Sequence, residues 1–528
     1  MNKIANFLNQ HIDGNVYISN HVLDAFSTDK SIMKIRPKFV AQPTSTTEIR
    51  KLVRFSHQLA KRNVGVGVTV RGSGNDKTGA AIGPGIVIST TKLNRVCEID
   101  VRQRLIRTEA GITLGELEAA LEAVGLTLPI SADPSHTIGG LIMNGHTGDL
   151  SGKYGSILKY IEQAEIVLSD GEIVRTELLS RRALRKKKEQ KDLEGSIYRT
   201  ITSLIENNPA LMEELKKKPG LSGYRNINQL FLGRRFDLLP LLVASQGTLG
   251  IMTEVILRCE YISPNSSYFT IAFKNLADAL TFGDVVQKYD PASVDFYDLA
   301  IFDETAVAGK PMNLISKLPS SGYLISASFD NYKKRQRKRI IRKLSKKYKP
   351  TSFATAVDGP SHETILKNII GTYLNSTSAR PRLPLIDGAK VDIDYLAEYL
   401  EGVGQLEEKH KLSLPVFGSL ATGTYSVRPG IDISTTSGRR ETLDLLRDYT
   451  DMLYKIGGTI CGDSPEGRFK AIYSKEYADA PALKELDQAV KEAFDPHGVL
   501  NPGVKIDANT RSSIRNLRTN PGKGIIKE

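Results

Sequence analysis

Apolar and polar positions follow two successive rhythms along the chain. Up to about residue 262, short runs rich in β-branched residues (64–70, 161–168 and 254–258) predict strands. They alternate with glycine-rich loops and with stretches of helical spacing, such as Leu117, Ala120, Leu121 and Val124 within 115–124. Asp170-Gly171 reads as the turn of a hairpin. Residues 193–223 look mainly helical, and 181–190 read as a polar surface excursion, because so many neighbouring positive charges cannot be buried.

Beyond 262 the order becomes strand (268–273), helix (276–289), strand (293–297), strand (322–329), helix (332–348), strand (351–357). This β-α-β-β-α-β order predicts a ferredoxin-like cap or substrate domain. Its second helix sets Ile340, Ile341, Leu344 and Tyr348 on one side and most of its basic residues on the others, so it can pack on a sheet and show charge outward. A less regular segment (358–384), a helix near 396–411, a strand-like 414–418 and a last helix (482–494) complete the pattern. Residues 1–35 read as a leader with a helix near 4–10, and 506–528, rich in Asn, Ser, Arg, Gly and Lys, as a basic disordered tail.

A length of 528 residues implies roughly two to four domains. A composition of 40% apolar and 25% charged residues excludes a disordered chain and a membrane bundle. No stretch approaches the run of about 20 apolar residues that crosses a bilayer. Residues 1–10 lack a hydrophobic signal core, so a cytoplasmic protein is expected. Cys97, Cys259 and Cys461, without a close pair or a histidine cluster, argue against a disulfide framework or zinc site and predict buried free thiols.

The net charge of +13 is concentrated. Residues 181–191 hold seven basic and one acidic side chain, 333–349 eleven and none, and 504–528 six and two, so the rest of the chain is net acidic. Such blocks suggest an anionic surface as partner: the inner face of a membrane, where the protein would sit peripherally, or nucleic acid. Solvated helix faces are the plainer reading. Nucleic acid is disfavoured, since the blocks are poor in aromatics and no reader motif accompanies them.

Three loops carry the chemistry: Arg71-Gly-Ser-Gly-Asn-Asp-Lys-Thr-Gly79, Ala132-Asp-Pro-Ser-His-Thr-Ile-Gly-Gly140 and Ser245-Gln-Gly-Thr-Leu-Gly-Ile-Met-Thr-Glu254. Glycine admits positive φ and lets backbone amides approach an anion, although one such loop alone is more often an ordinary turn. Together, the three resemble the FAD-binding domain of the vanillyl-alcohol oxidase/para-cresol methylhydroxylase superfamily, which reads Arg-Gly-Gly-Gly-Thr, Asp-Pro…Thr-Ile-Gly-Gly and Ser-Glu-Gly-Thr-Leu-Gly-Ile. The likeness runs from about residue 36 to about 262. Phe494-Asp-Pro-His-Gly-Val-Leu-Asn-Pro-Gly503 is similar to the closing signature of the D-lactate dehydrogenase and glycolate oxidase branch.

The resemblance implies an α+β fold: a two-subdomain FAD-binding domain over 36–262, a ferredoxin-like cap within 263–480, and a segment, 481–505, returning to the FAD domain. It implies that Arg71, Gly72, Ser73, Gly74, Asn75 and Asp76 line the pyrophosphate, with Gly79 permitting the return turn. Asp133, Pro134, Ser135, Thr137, Ile138, Gly139 and Gly140 would form a second wall, and Asn144, Gly148, Gly250, Ile251 and Asn501 would complete the contacts. Some relatives tether FAD through a histidine where this chain has Asn75; an amide cannot form that bond, so non-covalent FAD is expected. Gln246 stands where relatives usually have Glu and keeps hydrogen-bonding capacity. His146, in Asn144-Gly-His-Thr-Gly148, is open to two readings, a proton relay or, with more weight, a surface or hydrogen-bonded structural residue.

The resemblance breaks at the substrate end. The branch's His-x-Gly-Asp-Gly-Asn-x-His and Gly-Glu-His-Gly phrases hold a divalent metal and a catalytic histidine; here three of their histidines are Ser419, Ser426 and Ser464. A serine hydroxyl is a poor metal ligand, so no metal is expected. Asp463 or Tyr425 is left to take a proton and Arg468 to hold an anionic part of the substrate, with ordinary loop hydrogen bonds an equally weighted reading. The expected function is FAD-dependent oxidation of a CH–OH group on a small molecule, with electrons passed to a quinone or another acceptor. The alternative is a flavin-binding scaffold without turnover.

Overall fold

Three large sheets carry the architecture of the computed structural model, which describes residues 2–217, 220–263, 267–302, 321–331, 334–348, 352–356, 366, 370–374, 380–473 and 481–519. Most of the irregular 358–384 segment up to residue 379, and the end of the tail, 520–528, lie outside the described residues.

In the first sheet Phe39–Gln42, Ile86–Ser89 and Val68–Arg71 run parallel, with Asn15–Tyr17 antiparallel at one edge. All four residues of Ile86–Ser89 are buried, as expected of a parallel strand covered on both faces. Helix Thr46–Ala60, capped by the Ser45 hydroxyl, lays Ile49, Leu52 and Val53 into the same core. The second sheet is antiparallel, in the order Val96–Asp100, Leu105–Glu109, Ile251–Arg258, Ile161–Val167, Ile173–Arg175.

The third sheet has seven antiparallel strands: Ser352–Ala356, Ser267–Phe273, Tyr323–Phe329, Ser293–Asp298, Val416–Ser419, Thr424–Val427 and Ile386–Lys390. The first four, taken in chain order, lie 4-1-3-2, the ferredoxin-like arrangement expected from the β-α-β-β-α-β pattern. Helices Leu276–Gln287, Lys334–Tyr348, Leu396–His410 and Thr436–Lys455 contribute to one core with this sheet. The last of these helices is not evident in the sequence, because a polar first turn with Gly438 precedes its stripe of Leu445, Leu446, Tyr449 and Leu453.

Several expectations need correction. The strand predicted over 64–70 begins only at Val68, because Gly67 packs against Pro502 and only Val68–Arg71 finds a partner strand. The basic stretch near 181–190 is on the surface but helical, Arg181–Glu189, with Ser180 as N-cap. The leader is part of the fold: Ile32, Met33 and Ile35 enter the cap core. The tail is ordered as far as residue 519; Thr510–Arg515 is a helix, Leu517 bridges to Met33, and Arg518 donates to the carbonyls of Met33 (2.9 Å) and Asp29. Leader and tail order each other across almost the whole sequence, a pairing that local composition cannot show. Cys97 is exposed, since the strand that carries it is the sheet's outer edge, while Cys259 and Cys461 are buried. Among the described residues, no helix is long and apolar enough to cross a membrane.

The closing phrase returns to the first sheet. Val68 N–H donates to Val499 O (2.8 Å) and Asn501 N–H to Val68 O (2.7 Å). Buried charges fasten it: Lys491 pairs with Asp495 at 2.7 Å and Lys505 with Glu466 at 3.0 Å. Glu466 also accepts from Gly223 N–H, at 2.8 Å. Replacing Glu466 by Gln leaves the Lys505 ammonium without its counter-charge in the interior. The expected loss is about 3–5 kcal/mol, read as a lower urea midpoint, and the paired change Glu466→Leu with Lys505→Met should recover most of it.

Candidate active site

A cleft enclosing about 1080 Å³, its open mouth included, lies between the first two sheets and ends on the cap domain. Val70 lines it from the first sheet, Ala110 and Met252 from the second, and Asp463 and Ser464 from the cap. Its floor is the first loop, Gly72 to Lys77, and its wall is Thr137, Gly139, Gly140 and Asn144.

The loops touch so closely that side chains would not fit. A Cβ on Gly72 would sit 2.0 Å from Thr137 Oγ1, and one on Gly139 2.9 Å from the Ala110 Cβ. Gly79, at φ +82, makes the return turn predicted for it. Among the described residues, none of the backbone N–H groups of 72–77 finds an acceptor, which leaves them available to an anion such as a pyrophosphate. Asn75 ties the first loop to the second, its amide donating to Ser73 Oγ (3.1 Å) and Ser135 Oγ (2.9 Å). Asp76 accepts from the N–H groups of Thr78 (2.9 Å) and Ala80 (2.7 Å), so it shapes the loop. Gln246 donates to Thr78 Oγ1 (3.0 Å) and Asn144 Oδ1 (3.1 Å) and accepts from Gly467 N–H (2.9 Å). A carboxylate at that position would have no hydrogen to donate to either Thr78 or Asn144.

Other predicted contacts stand outside the lining. The Arg71 guanidinium turns to the leader, donating to Thr28 O at 2.7 Å over the Phe26 ring. Asp133, Pro134 and Ser135 form an exposed rim. Ile138 and Ile251 are core residues, Gly250 packs on Ile166, and Gly148 on the Ser131 carbonyl. Asn501 is buried behind the cleft, donating to the carbonyls of Ala80 (2.9 Å) and Gln246 (2.7 Å).

Two of the three catalytic candidates lie outside the cleft lining. Arg468 is buried and donates to the carbonyls of Gly79 (3.0 Å), Ile82 (3.1 Å) and Pro502 (2.6 Å), so it braces loops and is not placed to hold a substrate anion. Tyr425 alternates into the cap core beside Tyr399, and burial pushes its phenol well above its usual range. Asp463 does line the cleft. Its position follows from Gly388, at φ +70, whose carbonyl accepts from the Gly462 (2.8 Å) and Asp463 (3.0 Å) N–H groups. A side chain on Gly388 would strike the Asp463 Cβ at 2.2 Å.

Beside Asp463 stands His146. Its Nε2 is 2.8 Å from Ser131 O, which can only accept, so that nitrogen carries the hydrogen. In the neutral ring Nδ1 is then an acceptor, and it lies 3.7 Å from Asp463 Oδ1. The hydrogen bond expected of a structural histidine therefore leaves the other nitrogen in the cleft. His136, inside the second loop but not singled out from sequence, also lines the cleft; burial and then the nearby Lys30 ammonium push it down to about 4, so it is neutral at pH 7. Lys77 reaches from the first loop to Asp387 of the cap at 2.8 Å, and Asp387 is also held by Arg428, whose Nε donates at 2.6 Å. Burial opposes the Asp387 charge, but Arg428 and Lys77 keep its carboxyl far below the usual range. Ser419 and Ser426 accept from Thr422 N–H (3.4 Å) and Gly388 N–H (2.8 Å), while Ser464 lines the cleft.

Residues 37–177 match the FAD binding domain family and residues 262–504 match the C-terminal domain of FAD linked oxidases. The chain therefore belongs to the FAD linked oxidases, and FAD is its cofactor. Within that class it is similar to D-2-hydroxyglutarate dehydrogenase of Pantoea ananatis, 25% identical over 93% of this chain and 51% of the relative. It is also 25% identical to a glycolate oxidase subunit of Bacillus subtilis (90% and 91% covered) and 24% identical to D-lactate dehydrogenase of Anaerostipes hadrus (92% and 94%). The chain spans about half the length of the D-2-hydroxyglutarate dehydrogenases it matches. Its fold matches 4-ethylphenol oxidase from Gulosibacter chungangensis, with TM-score 0.67, 15% identity and 97% and 98% of the two chains covered. It also matches p-cresol methylhydroxylase, with TM-score 0.67, 13% identity and 97% of each covered.

Gly72→Val should abolish FAD retention, measured as the flavin-to-protein absorbance ratio after gel filtration, because the new side chain must displace Thr137. For the native chain, acid precipitation should leave a colourless pellet and a yellow supernatant, since Asn75 offers no tethering imidazole.

Proposed function

We propose that this chain oxidises the CH–OH carbon of an anionic hydroxylated substrate, with FAD as first electron acceptor and without a metal ion. The observation that carries this reading is the His146–Asp463 pair at the cap end of a glycine-lined FAD cleft. FAD, when bound, supplies the acceptor for the two electrons leaving the substrate carbon. His146 Nδ1 takes the hydroxyl proton, and Asp463 stabilises the imidazolium that results. This replaces proton removal assisted by the metal and histidine of the D-lactate dehydrogenase-like pattern, whose imidazole positions are Ser419, Ser426 and Ser464 here.

Positive charge for a substrate carboxylate comes from Lys77, on the cleft floor. Lys30 stands near it: burial lowers the Lys30 ammonium first, and Lys77 and Arg428 add to the fall against the opposing Asp133. Relatives named for 2-hydroxy acids support an acid of that class, with D-lactate itself a poor substrate because the site that would serve it has lost its imidazoles. We also place the protein peripherally at an anionic membrane surface, where a quinone or other acceptor takes the electrons. The exposed Arg335, Lys338, Arg339, Arg342 and Lys343 of helix Lys334–Tyr348 support that location.

Anaerobic flavin bleaching by a panel of 2-hydroxy acids, with and without EDTA, tests the reading. Bleaching that EDTA leaves unchanged is expected, and His146→Gln should slow it by about 10²–10⁴-fold at unaltered FAD content. Asp463→Asn should act in the same direction and Lys77→Met should mainly raise KM. Fast reduction by D-lactate that EDTA abolishes and zinc or manganese restores would overturn the mechanism. A stable FAD complex that no hydroxylated compound bleaches would instead favour a flavin-binding protein without turnover.

A further inference from the structure

A surface hairpin outside the cleft lining combines exposed apolar and basic side chains. Strands Phe231–Leu232 and Arg235–Phe236 form a hairpin that turns through Gly233-Arg234, with Gly233 at φ +64 as a two-residue turn demands. Phe236 is buried and meets the Phe231 ring edge-on at 5.0 Å, which pins the base of the hairpin. The outer residues remain in solvent: Phe231 is 40% and Leu232 57% exposed.

A backbone bridge between Leu179 and Phe236 (2.7 and 3.0 Å) ties the hairpin to the entry of helix Arg181–Glu189, which packs on its second strand. Exposed cations therefore lie on both adjoining elements: Arg234 and Arg235 on the hairpin, Arg181, Arg182, Arg185 and Lys186 on the helix. Single exposed apolar residues are ordinary, but two consecutive large ones on a pinned hairpin that also carries and adjoins exposed arginines are not. Nucleic acid would use the cations and gain little from an aliphatic Leu232 at the apex. A bilayer uses both, taking the apolar tip below its headgroups and pairing the arginines with lipid phosphates.

We propose that this face docks the chain on an anionic phospholipid bilayer by inserting Leu232 beside the turn, with the half-exposed Phe231 one residue behind it. The inference rests on the peripheral location proposed above and assigns it to a particular surface. The segment runs on through helix Leu239–Leu242 to Gln246 in the cleft wall, so docking would hold the FAD cleft at a fixed setting above the membrane.

The chain contains no tryptophan, so Leu232→Trp places a single reporter at the tip. The FAD-loaded variant is mixed with vesicles of phosphatidylcholine alone or with phosphatidylglycerol added. A blue-shifted emission, quenched by brominated lipid, is expected with the anionic vesicles only. In sedimentation, the double variant Phe231→Ser with Leu232→Ser should partition at least tenfold less than the native chain at equal FAD content. Arg181→Glu with Arg185→Glu should lose a similar factor at low salt. Sedimentation with unshifted Leu232→Trp emission would move the contact to another face, such as helix Lys334–Tyr348, and overturn this assignment while leaving peripheral location intact. No sedimentation with anionic vesicles would overturn both. Binding to duplex DNA that the hairpin variant leaves unchanged, without vesicle binding, would assign the cations to nucleic acid.

Discussion

The buried amide of Asn501 spends its full hydrogen-bonding capacity on holding three distant parts of the chain together. It donates to Ala80 O just after the first loop and Gln246 O in the third, and accepts from Thr69 Oγ1 (3.0 Å) in the first sheet and from Arg468 (3.3 Å) of the cap segment. Two donors and two lone pairs are all such a side chain has. In a dry interior each unmade bond would leave a polar group unsatisfied, so the network is strong only when complete. The glycine cradle depends on it, because the loops meet at distances that no looser arrangement would keep. The same network explains why Arg468 cannot serve a substrate: its guanidinium is already spread over the loop carbonyls.

A second set of charges fixes the cap over the cradle. Asp387 sits between Lys77 of the first loop and Arg428 of the cap sheet, and Gly388, the next residue, bends the edge strand so that Asp463 is carried into the cleft. Lys470 adds a buried ammonium that donates to the carbonyls of Asp387 (2.7 Å) and Ile460 (3.0 Å), on either side of the turn. Nearly every charged group around the cleft thus has a structural duty. His146 and Asp463 differ: one His146 nitrogen is committed to Ser131 and the other faces the Asp463 carboxylate in the cleft.

Interior charges are paired over short distances while the basic surface blocks face solvent, and this division separates two tasks. Lys505–Glu466 and Lys491–Asp495 are sealed from water and act as rivets for the closing phrase. The cations around the 231–236 hairpin are long, exposed and crowded, an arrangement that disfavours itself unless an opposite charge arrives.

The sequence by itself determined the glycine-rich loops of the cofactor cradle, several strands of the FAD domain, and the ferredoxin-like part of the cap. Those rest on signals local in the chain: glycines where a second backbone must pass, β-branched runs, and helical spacing as in Leu276–Gln287. Asn75 in place of a tethering histidine is equally local. Only the tertiary structure decided which polar residues work as structure and which face the cleft. Arg468, Tyr425 and Asn501 read like site residues by their place in the phrases, yet burial and long-range partners turn all three inward. His136, Lys77 and Gly388 carry no such mark, because nothing within a few residues of them announces their neighbours. The pairing of leader and tail is illegible for the same reason: Met33 and Leu517 meet across nearly five hundred residues, and a contact of that span leaves no local periodicity to read.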